Sequence, residues 1–501
     1  MTPQIQDYVP LDIYDRFPDQ GTAQRILALF FINALVLWTF RAVRRLFFHP
    51  LSRYPGPRIA AVSDIWYAYH SLLGRWPWAV EDVLKKYGDV VRIAPNELVF
   101  TTPQALADIY GSRHKNLELF PKTQINNHGN DKRGGLIWEW DPSRHREVAK
   151  QLGPAFKGSA LKAKEPTLHR HIDHFVERME TLGSGPEGVS LPTWTNWLCV
   201  DISADMAYNR EMNALKDSFN KALVVIQMSW RFPLLSFLKY PFLFTVMRPH
   251  SHIRDHSREQ LESRIRRKSS PPHFDFFEQM VTENHELPKD RDERRHLEQV
   301  AGQLLIAGYE PPAIWLYFTL YHLLMSPGNL GTLTREIKDA FGSYGEISPS
   351  SAARLPYLTA CLQEALRTMP NVLTGMPVVV CQSSMFALAR SPRNFRDPLQ
   401  FRPERWLSRG HPLHNARFDG HRRKDFQPFS MGPRMCAGKE IAWWQSRLFM
   451  AKILWVFDLE MVTGQQIDMD RDLRGWGMVV KPEFRVRFTT AARAKNTGVI
   501  H

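Results

Sequence analysis

One cysteine near the C-terminal end of the chain lies in a setting that favours chemistry. The stretch reads FQPFSMGPRMCAGKEIAWW, and four residues surround Cys436 there at fixed offsets: Phe429, Gly432, Arg434 and Gly438. A cysteine that binds a metal must lose its proton. Arg434 supplies positive charge, and a helix predicted from Ala437 onward has its N-terminus close to the sulfur; both stabilise a thiolate. The spacing therefore indicates a thiolate ligand of a metal.

Each neighbour has a role if that metal is the iron of a haem. Arg434 would pair with a haem propionate, and Gly432 permits a turn that a side chain would obstruct. Gly438 would let the helix lie close to the macrocycle, and Phe429 would cover the sulfur and exclude water. Thiolate ligation favours cleavage of an O–O bond. The alternative, a buried structural cysteine, is the usual fate of a lone Cys but does not explain four partners.

Two further motifs precede the cysteine loop. Glu364 and Arg367 form E-x-x-R on one helix face, and FRPERW follows with Arg405. The order and spacing of these motifs resemble the cytochrome P450 superfamily, and the chain looks like a fungal, microsomal-type member. The resemblance implies a cytochrome P450 fold, mainly α with a small β-sheet. It also implies that these three charged residues form a buried triad, which holds the loop beneath the haem.

The resemblance extends to the helix that supplies partners for the haem propionates. The stretch HREVAKQLGPAF begins at His145, which stands where a donor is expected. The family's usual arginine four residues later is Ala149 here, with Lys150 beside it. Trp140 and Arg144 are a competing assignment.

The family motif of the long helix over the haem is altered. The chain reads AGYEPP from Ala307 to Pro312, where the family has Ala/Gly-Gly-x-Asp/Glu-Thr-Thr. By resemblance, Glu310 relays protons and Gly308 leaves space for dioxygen. Pro311 replaces a threonine whose hydroxyl helps to deliver protons, so efficient oxygen activation is in question. The two prolines also remove backbone N–H groups, so we expect the helix to be distorted here.

The chain looks short between Arg367 and Pro403, which lie only 36 positions apart. The family places a hairpin in this region, and about twenty of its residues are absent, judged from usual strand lengths. A natural deletion and a wrong intron boundary both explain the loss.

Helices must position most of these residues. Apolar residues at three-four spacing predict helices over 175–182, 215–228, 297–325, 333–341, 357–369 and 441–457. Strand-like runs are few, at 90–93, 97–101, 375–380 and 484–488. The pattern indicates one large, mainly helical domain with a small sheet. Residues 118–135 are interpreted as a loop over the distal side of the haem. The apolar stretch 228–244 is either a core helix or an access channel that dips into the membrane.

Residues 1–48 are predicted to form a tail and a membrane anchor, and residues 49–501 the haem-binding catalytic domain. The apolar run 26–40 rises only about 22 Å as a helix, so a thin spanning helix also needs residues 22–25. Arg41, Arg44 and Arg45 follow it. They predict a single-pass protein of the endoplasmic reticulum membrane with its catalytic domain in the cytoplasm. A cleaved signal peptide would carry its positive charge first. The proline-rich stretch 49–57 predicts a hinge after the anchor.

Composition narrows the class of protein further. The formal net charge is +14, but basic residues are scattered and interleaved with acidic ones, so we expect no nucleic acid partner. A basic surface that faces anionic lipid explains the charge as well. The four cysteines show no CxxC spacing, which argues against a disulfide framework or a zinc ribbon and favours reduced thiols.

Together these features predict a membrane-anchored haem-thiolate monooxygenase. It would take electrons from NADPH through a reductase partner and oxidise an apolar small molecule, in fungal secondary metabolite biosynthesis. Two alternatives remain at this point. One is a haem-thiolate dehydratase, isomerase or ring-coupling oxidase, and the other is a degenerate haem protein without turnover.

Overall fold

Helices form most of the described chain, as the spacing of apolar residues predicts. The structure is a computed structural model and describes residues 20–111, 120–123, 134–208, 259, 262–263, 276, 290–373, 381–421 and 423–492. Its α-helices are α1 (Gln20–Val43), α2 (Arg58–Val62), α3 (Ile65–Leu72), α4 (Trp76–Tyr87), α5 (Pro103–Tyr110), α6 (Pro142–Leu152), α7 (Gly158–Lys162), α8 (Glu165–Leu182), α9 (Leu191–Tyr208), α10 (Arg291–Leu324), α11 (Pro327–Ala340), α12 (Pro349–Ala352), α13 (Pro356–Thr368), α14 (Met385–Ala389) and α15 (Lys439–Val456).

Small sheets accompany the helices. The strands are β1 (Val90–Ala94), β2 (Glu97–Phe100), β3 (Val189–Ser190), β4 (Cys381–Ser383), β5 (Phe457–Met461), β6 (Arg474–Trp476), β7 (Met478–Val480) and β8 (Arg485–Thr490). β2 pairs antiparallel with β1 and parallel with β4. β8 pairs antiparallel with β3 and β5, and β6 with β7. The predicted mainly α fold with a small β component is confirmed.

The long helix α10 begins earlier than its apolar pattern predicts. Its first turn is charged, which hides it from a search for apolar spacing. Asp290 caps the helix, and its carboxylate accepts hydrogen bonds from the N–H groups of Asp292 and Glu293 at 3.4 and 3.3 Å.

The prolines at 311 and 312 do not interrupt α10, which continues as an α-helix through both. The distortion predicted from them is therefore not seen as a break or a π-turn. Tertiary packing explains the tolerance, because most helical stability in proteins comes from burial of a face. Trp315, in the next turn, is 1% exposed, and its indole N–H donates to the Leu362 carbonyl of α13 at 2.9 Å.

α1 is the one helix in the described ranges that is long and apolar enough to cross a membrane, within a stretch from Gln24 to Phe48. Its 24 residues rise about 36 Å, more than the roughly 30 Å of a bilayer core. The helix is therefore longer than the apolar run 26–40 from which a thin spanning helix was predicted. A π-helical turn from Arg44 to Phe48 extends it toward the domain.

The proline-rich stretch after the anchor is tied to the domain, which the prediction of a hinge did not foresee. The backbone N–H of Arg92, in β1, donates to the Pro55 carbonyl at 2.8 Å. The buried Arg92 guanidinium donates to the Arg45 carbonyl at 2.8 Å and to that of Pro95 at 2.7 Å. A Cβ at Gly56 would lie 2.3 Å from the Arg92 carbonyl oxygen, so this close approach requires glycine.

Several predicted elements lie outside the described residues. They are the helix at 215–228, the apolar stretch 228–244, the strand at 375–380 and most of the loop 118–135.

Candidate active site

The loop that carries Cys436 turns sharply at two residues. Ser430 and Gly432 have φ angles of 61° and 67°, the left-handed region, so the glycine meets the turn predicted for it. The Cys436 N–H donates to the Phe429 carbonyl at 2.9 Å and closes the loop. α15 then begins at Lys439, two residues later than predicted.

The Cys436 thiol is accessible, although protein surrounds it closely enough to desolvate it. This desolvation raises the pKa of the Cys436 thiol, while the Gly438 N–H and Lys439 act to lower it. The protein alone therefore does not hold the thiolate well. A bound metal cation deprotonates a coordinating thiol, so Cys436 fits a metal ligand. All four cysteines are free thiols.

A cluster of basic side chains lies beside this loop: Arg434, Lys122 and His145. Arg434 donates to the carbonyls of Glu139 and Trp140 at 2.9 and 3.3 Å. Its buried Nε has no hydrogen-bond partner among the described residues. The Lys122 ammonium, also buried, donates to the Ile137 carbonyl.

Burial and neighbouring positive charge lower the pKa values of Lys122 and His145. Burial, then Arg434, lowers the pKa of Lys122 to about 7, and Glu139 opposes this. Burial, then Arg434 and Lys122, lowers the pKa of His145 to about 3. Burial thus disfavours the charged forms of Lys122 and His145, and an added anionic group beside them would favour those forms. The two propionates of a haem fit this cluster next to a cysteine thiol.

Sequence reasoning missed Lys122. Its stretch carries no motif, and the only hint was the absence of the expected arginine at Ala149. The neighbouring Lys150 is exposed on α6. In the competing assignment, the Arg144 guanidinium lies 5.8 Å from the centre of the Trp140 ring.

α10 brings its altered motif to the same region. Trp315 contacts Phe429 and Trp443, with ring centres 5.9 and 4.8 Å apart. Glu310 is buried, at 6% exposure. Its predicted role in proton relay stays a prediction, as does the cover that Phe429 gives the sulfur.

Gly308 faces another helix. A Cβ on Gly308 would lie 2.2 Å from the Ser203 hydroxyl of α9, so the glycine permits close packing of α9 on α10. This contact does not support its predicted role in leaving space for dioxygen. Ala307 is exposed, and Pro311, one turn later on the same face, is partly exposed. A Cβ on Gly438 would meet the Ile441 side chain at an ordinary 3.8 Å, so its closeness to a macrocycle also stays a prediction.

The predicted charge triad is present and buried. Arg367 makes two hydrogen bonds to the Glu364 carboxylate, both 2.8 Å, and Arg405 makes one of 2.9 Å. The Trp406 indole also donates to this carboxylate at 2.8 Å. All three charged side chains are 0% exposed. The triad ties α13 to the turn that leads toward the cysteine loop.

Known proteins resemble the chain along most of its length. The family model described as Cytochrome P450 matches residues 65–488. The chain is 67% identical to the cytochrome P450 monooxygenase TwmD of Talaromyces wortmannii, over 96% of this chain and 98% of the relative. It is 32% identical to the cytochrome P450 monooxygenase BOA3 of Botryotinia fuckeliana, over 90% and 94%. It is also 32% identical to the trichothecene C-4 hydroxylase of Trichoderma arundinaceum, over 84% and 89%.

Proposed function

The chain belongs to the cytochrome P450 family, and from this premise we propose how its own residues build the site of a haem-thiolate monooxygenase. Cys436 ligates the haem iron. Arg434 and His145 bind the propionates, and Phe429, Gly432 and Gly438 shape the loop around the sulfur. Glu310 relays protons.

The observation that carries this assignment is the basic cluster next to an accessible thiol. Lys122, Arg434 and His145 come from three separate parts of the chain, and burial lowers the pKa of each. An anion beside these buried groups would stabilise their charged forms. A haem would supply both such an anion, through its propionates, and a metal for Cys436.

The haem, once bound, supplies the activation of dioxygen, with electrons from NADPH through a reductase. The protein's own contribution is positioning and proton transfer. The Phe429, Trp315 and Trp443 rings pack together beside the cysteine loop and limit water there. The carboxyl of the buried Glu310 transfers protons. It lies one residue before Pro311, where the chain has no hydroxyl.

Monooxygenases of this family need a redox partner and act on small molecules. We assign the partner here to an NADPH-cytochrome reductase. A cleft of about 360 Å³ beside Phe429 is lined by three basic residues, Arg423, Lys439 and Arg447, and by one acidic residue, Glu440. Its charge favours an acidic docking surface. No nucleic acid is expected as a partner.

We place the protein in the endoplasmic reticulum membrane, with α1 as a single-pass anchor and the catalytic domain, residues 49–501, in the cytoplasm. Arg41, Arg44 and Arg45 at the domain end of α1 support this orientation. The substrate is an apolar product of fungal secondary metabolism. A relative named trichothecene C-4 hydroxylase supports hydroxylation as the reaction.

Carbon monoxide tests the assignment of the ligand. Reduced protein with carbon monoxide should absorb where thiolate-ligated haem absorbs, and Cys436→Ala should lose that band. Cys381→Ala removes a second, partly exposed thiol and should keep it. A band that survives in Cys436→Ala would remove Cys436 from the site.

Turnover then separates the monooxygenase from its alternatives. NADPH consumption that matches oxygenated product is expected, and the names of the relatives do not favour a dehydratase or isomerase. A haem protein that consumes no NADPH with any apolar ligand would instead point to the degenerate form.

A further inference from the structure

The irregular segment 134–141 obtains its hydrogen bonds from side chains rather than from a helix or sheet. Glu139, only 1% exposed, accepts from the N–H groups of Gly134 and Asp141 at 2.9 and 3.0 Å. Lys122 and Arg434 donate to carbonyls of the same segment. Buried backbone groups need such partners, so these side chains fix the path of the segment.

Gln303 of α10 makes the largest share of these contacts. Its Oε1 accepts hydrogen bonds from the N–H groups of Leu136 and Ile137 at 2.8 and 2.7 Å. Its Nε2 donates to the Gly134 carbonyl at 2.8 Å. Gln303 is 1% exposed, so these bonds form away from water.

The backbone of the segment is shaped to receive this side chain. Gly135 has a φ of +72°, and a Cβ there would lie 2.4 Å from the Gln303 Nε2. A side chain at position 135 would therefore displace Gln303. The fit is specific on both sides of the contact.

Gln303 lies on a face of α10 that is accessible further along the helix. Residues 303, 307 and 311 follow one another at intervals of four along one face of α10. Ala307 and Pro311 on that face are accessible. The segment also carries the half-buried side chains of Leu136 and Trp138, which pack against the main core. At its far end it meets Arg434, two residues before Cys436.

We propose that Gln303 is a positioning residue that holds segment 134–141 against α10, so that Leu136 and Trp138 form a fixed apolar wall for the substrate. This inference rests on the proposed function, because it requires the haem beside Cys436 and Arg434. Gln303 itself takes no part in the chemistry. Its amide matches two N–H donors and one carbonyl acceptor at once, which an apolar residue cannot do. Without it, those buried groups would lose their partners and the segment would move.

Hydrogen exchange on the full-length chain in detergent micelles tests the contact without any need for haem. In Gln303→Met, which keeps the size of the side chain, the Leu136 and Ile137 amides should exchange at least about tenfold faster than in the parent. Thr319→Val is the matched control. Thr319 is also buried in α10, and among the described residues its hydroxyl bonds to the Trp315 carbonyl of the same helix, so these two amides should exchange as in the parent.

Two haem ligands test the effect on the wall. Imidazole and 4-phenylimidazole bind iron through the same nitrogen, but only the second carries an apolar ring that needs the wall. In haem-loaded Gln303→Met, the dissociation constant of 4-phenylimidazole should rise about tenfold, while that of imidazole stays within about twofold. Unchanged amide exchange, or an unchanged ratio of the two constants, overturns the inference.

If the Gln303→Met protein does not fold and accumulate, a second variant tests the inference. Gln303→Glu keeps both acceptor contacts and loses only the donor to Gly134. Its Leu136 and Ile137 amides should stay protected, and exchange about tenfold faster than in the parent would overturn the inference. Failure of the proposed function looks different, since the parent would then bind neither ligand while its amide exchange still reports on Gln303.

Discussion

At the scale of single residues, the protonation of Lys122 should change when haem binds, and this change can be measured. Burial and Arg434 lower its pKa to about 7 from an ordinary 10.5. At about pH 8 most of this lysine is therefore neutral before haem binds, and the propionates should raise its pKa and charge it. Haem loading should take up about one proton more in the parent than in Lys122→Met, measured with an indicator dye in weak buffer.

Lys150→Met is the control for this experiment, because Lys150 is exposed on α6 and has no reason to change its protonation. The direction of the proton transfer follows from the expected rise in the pKa of Lys122. A lysine whose pKa rises on binding takes up a proton at any pH between its two pKa values. Equal proton uptake in the parent and in Lys122→Met would exclude Lys122 as a propionate partner.

Pro311 stands where the family has a threonine hydroxyl, so we expect it to affect the efficiency of the reaction. If the missing hydroxyl limits proton delivery, the parent should leak peroxide, and Pro311→Thr should divert NADPH electrons from peroxide to product. General acid–base assistance is worth about 10²–10⁴-fold, so even partial recovery is measurable as product formed per NADPH. Pro311→Ala restores the backbone N–H without a hydroxyl. Equal coupling in the threonine and alanine variants would contradict the role of the hydroxyl.

The sequence revealed site residues where their roles depend on local spacing. The Cys436 loop and the Glu364–Arg367 pair follow offsets that can be read along the chain, and Arg405 was identified from the resemblance of its FRPERW motif to the family. Lys122 and Gln303 could not be found in this way, because their partners lie 15 or more positions away in sequence and meet them only in the fold. Gly308 shows the converse. Its motif suggested space for dioxygen, whereas its neighbour is Ser203 of a different helix.

At the scale of elements, the anchor and the domain are joined by a structured connection. Arg92 donates to the Arg45 carbonyl, and its own N–H binds Pro55. In Arg92→Met the buried bond to Arg45 is lost, so residues 44–57 should loosen. Trypsin should then cleave after the exposed Arg53 at least about tenfold faster than in the parent, in micelles under native conditions.

Arg393→Met is the matched control for this cleavage, because the Arg393 guanidinium forms an exposed ion pair with Asp89. Exposed pairs contribute little to stability, so its digestion should follow that of the parent. Cleavage of Arg92→Met at the parental rate would mean that other contacts hold the connection.

Helix interiors were predictable from the sequence, and helix ends less so. α11, α13 and α15 agree with the apolar pattern: α11 buries one face, whereas α13 and α15 are buried on most sides. α8 extends ten residues before its predicted start at residue 175, through a stretch rich in histidine and charged residues. Tertiary contacts, here from α9 and α15, decide such ends.

At the scale of the whole molecule, the length of the chain bears on the predicted loss of residues before Pro403. β4 begins at Cys381 and pairs with β2, and the residues just before it lie outside the described ranges. The alignment with TwmD spans 509 positions, more than the 501 residues of this chain, so this chain lacks residues that the relative has. This agrees with a loss of residues from this chain.

Attachment to the membrane is the property that depends on the molecule as a whole. α1 is long enough to span a bilayer, its apolar side chains are exposed, and its end is bonded to the domain. Deleting residues 1–48 should therefore release most of the protein into the soluble fraction, measured by sedimentation of membranes. High salt should leave the intact chain in the membrane pellet, because salt screens charges but does not weaken burial of apolar surface in lipid. Release of the intact chain by salt alone would show that the net charge of +14, rather than α1, holds the protein at the membrane. If the deleted form stays partly bound, the exposed apolar residues of α2 and α3, such as Ile59, Ile65 and Leu72, are the next contacts to replace, since they follow the anchor directly.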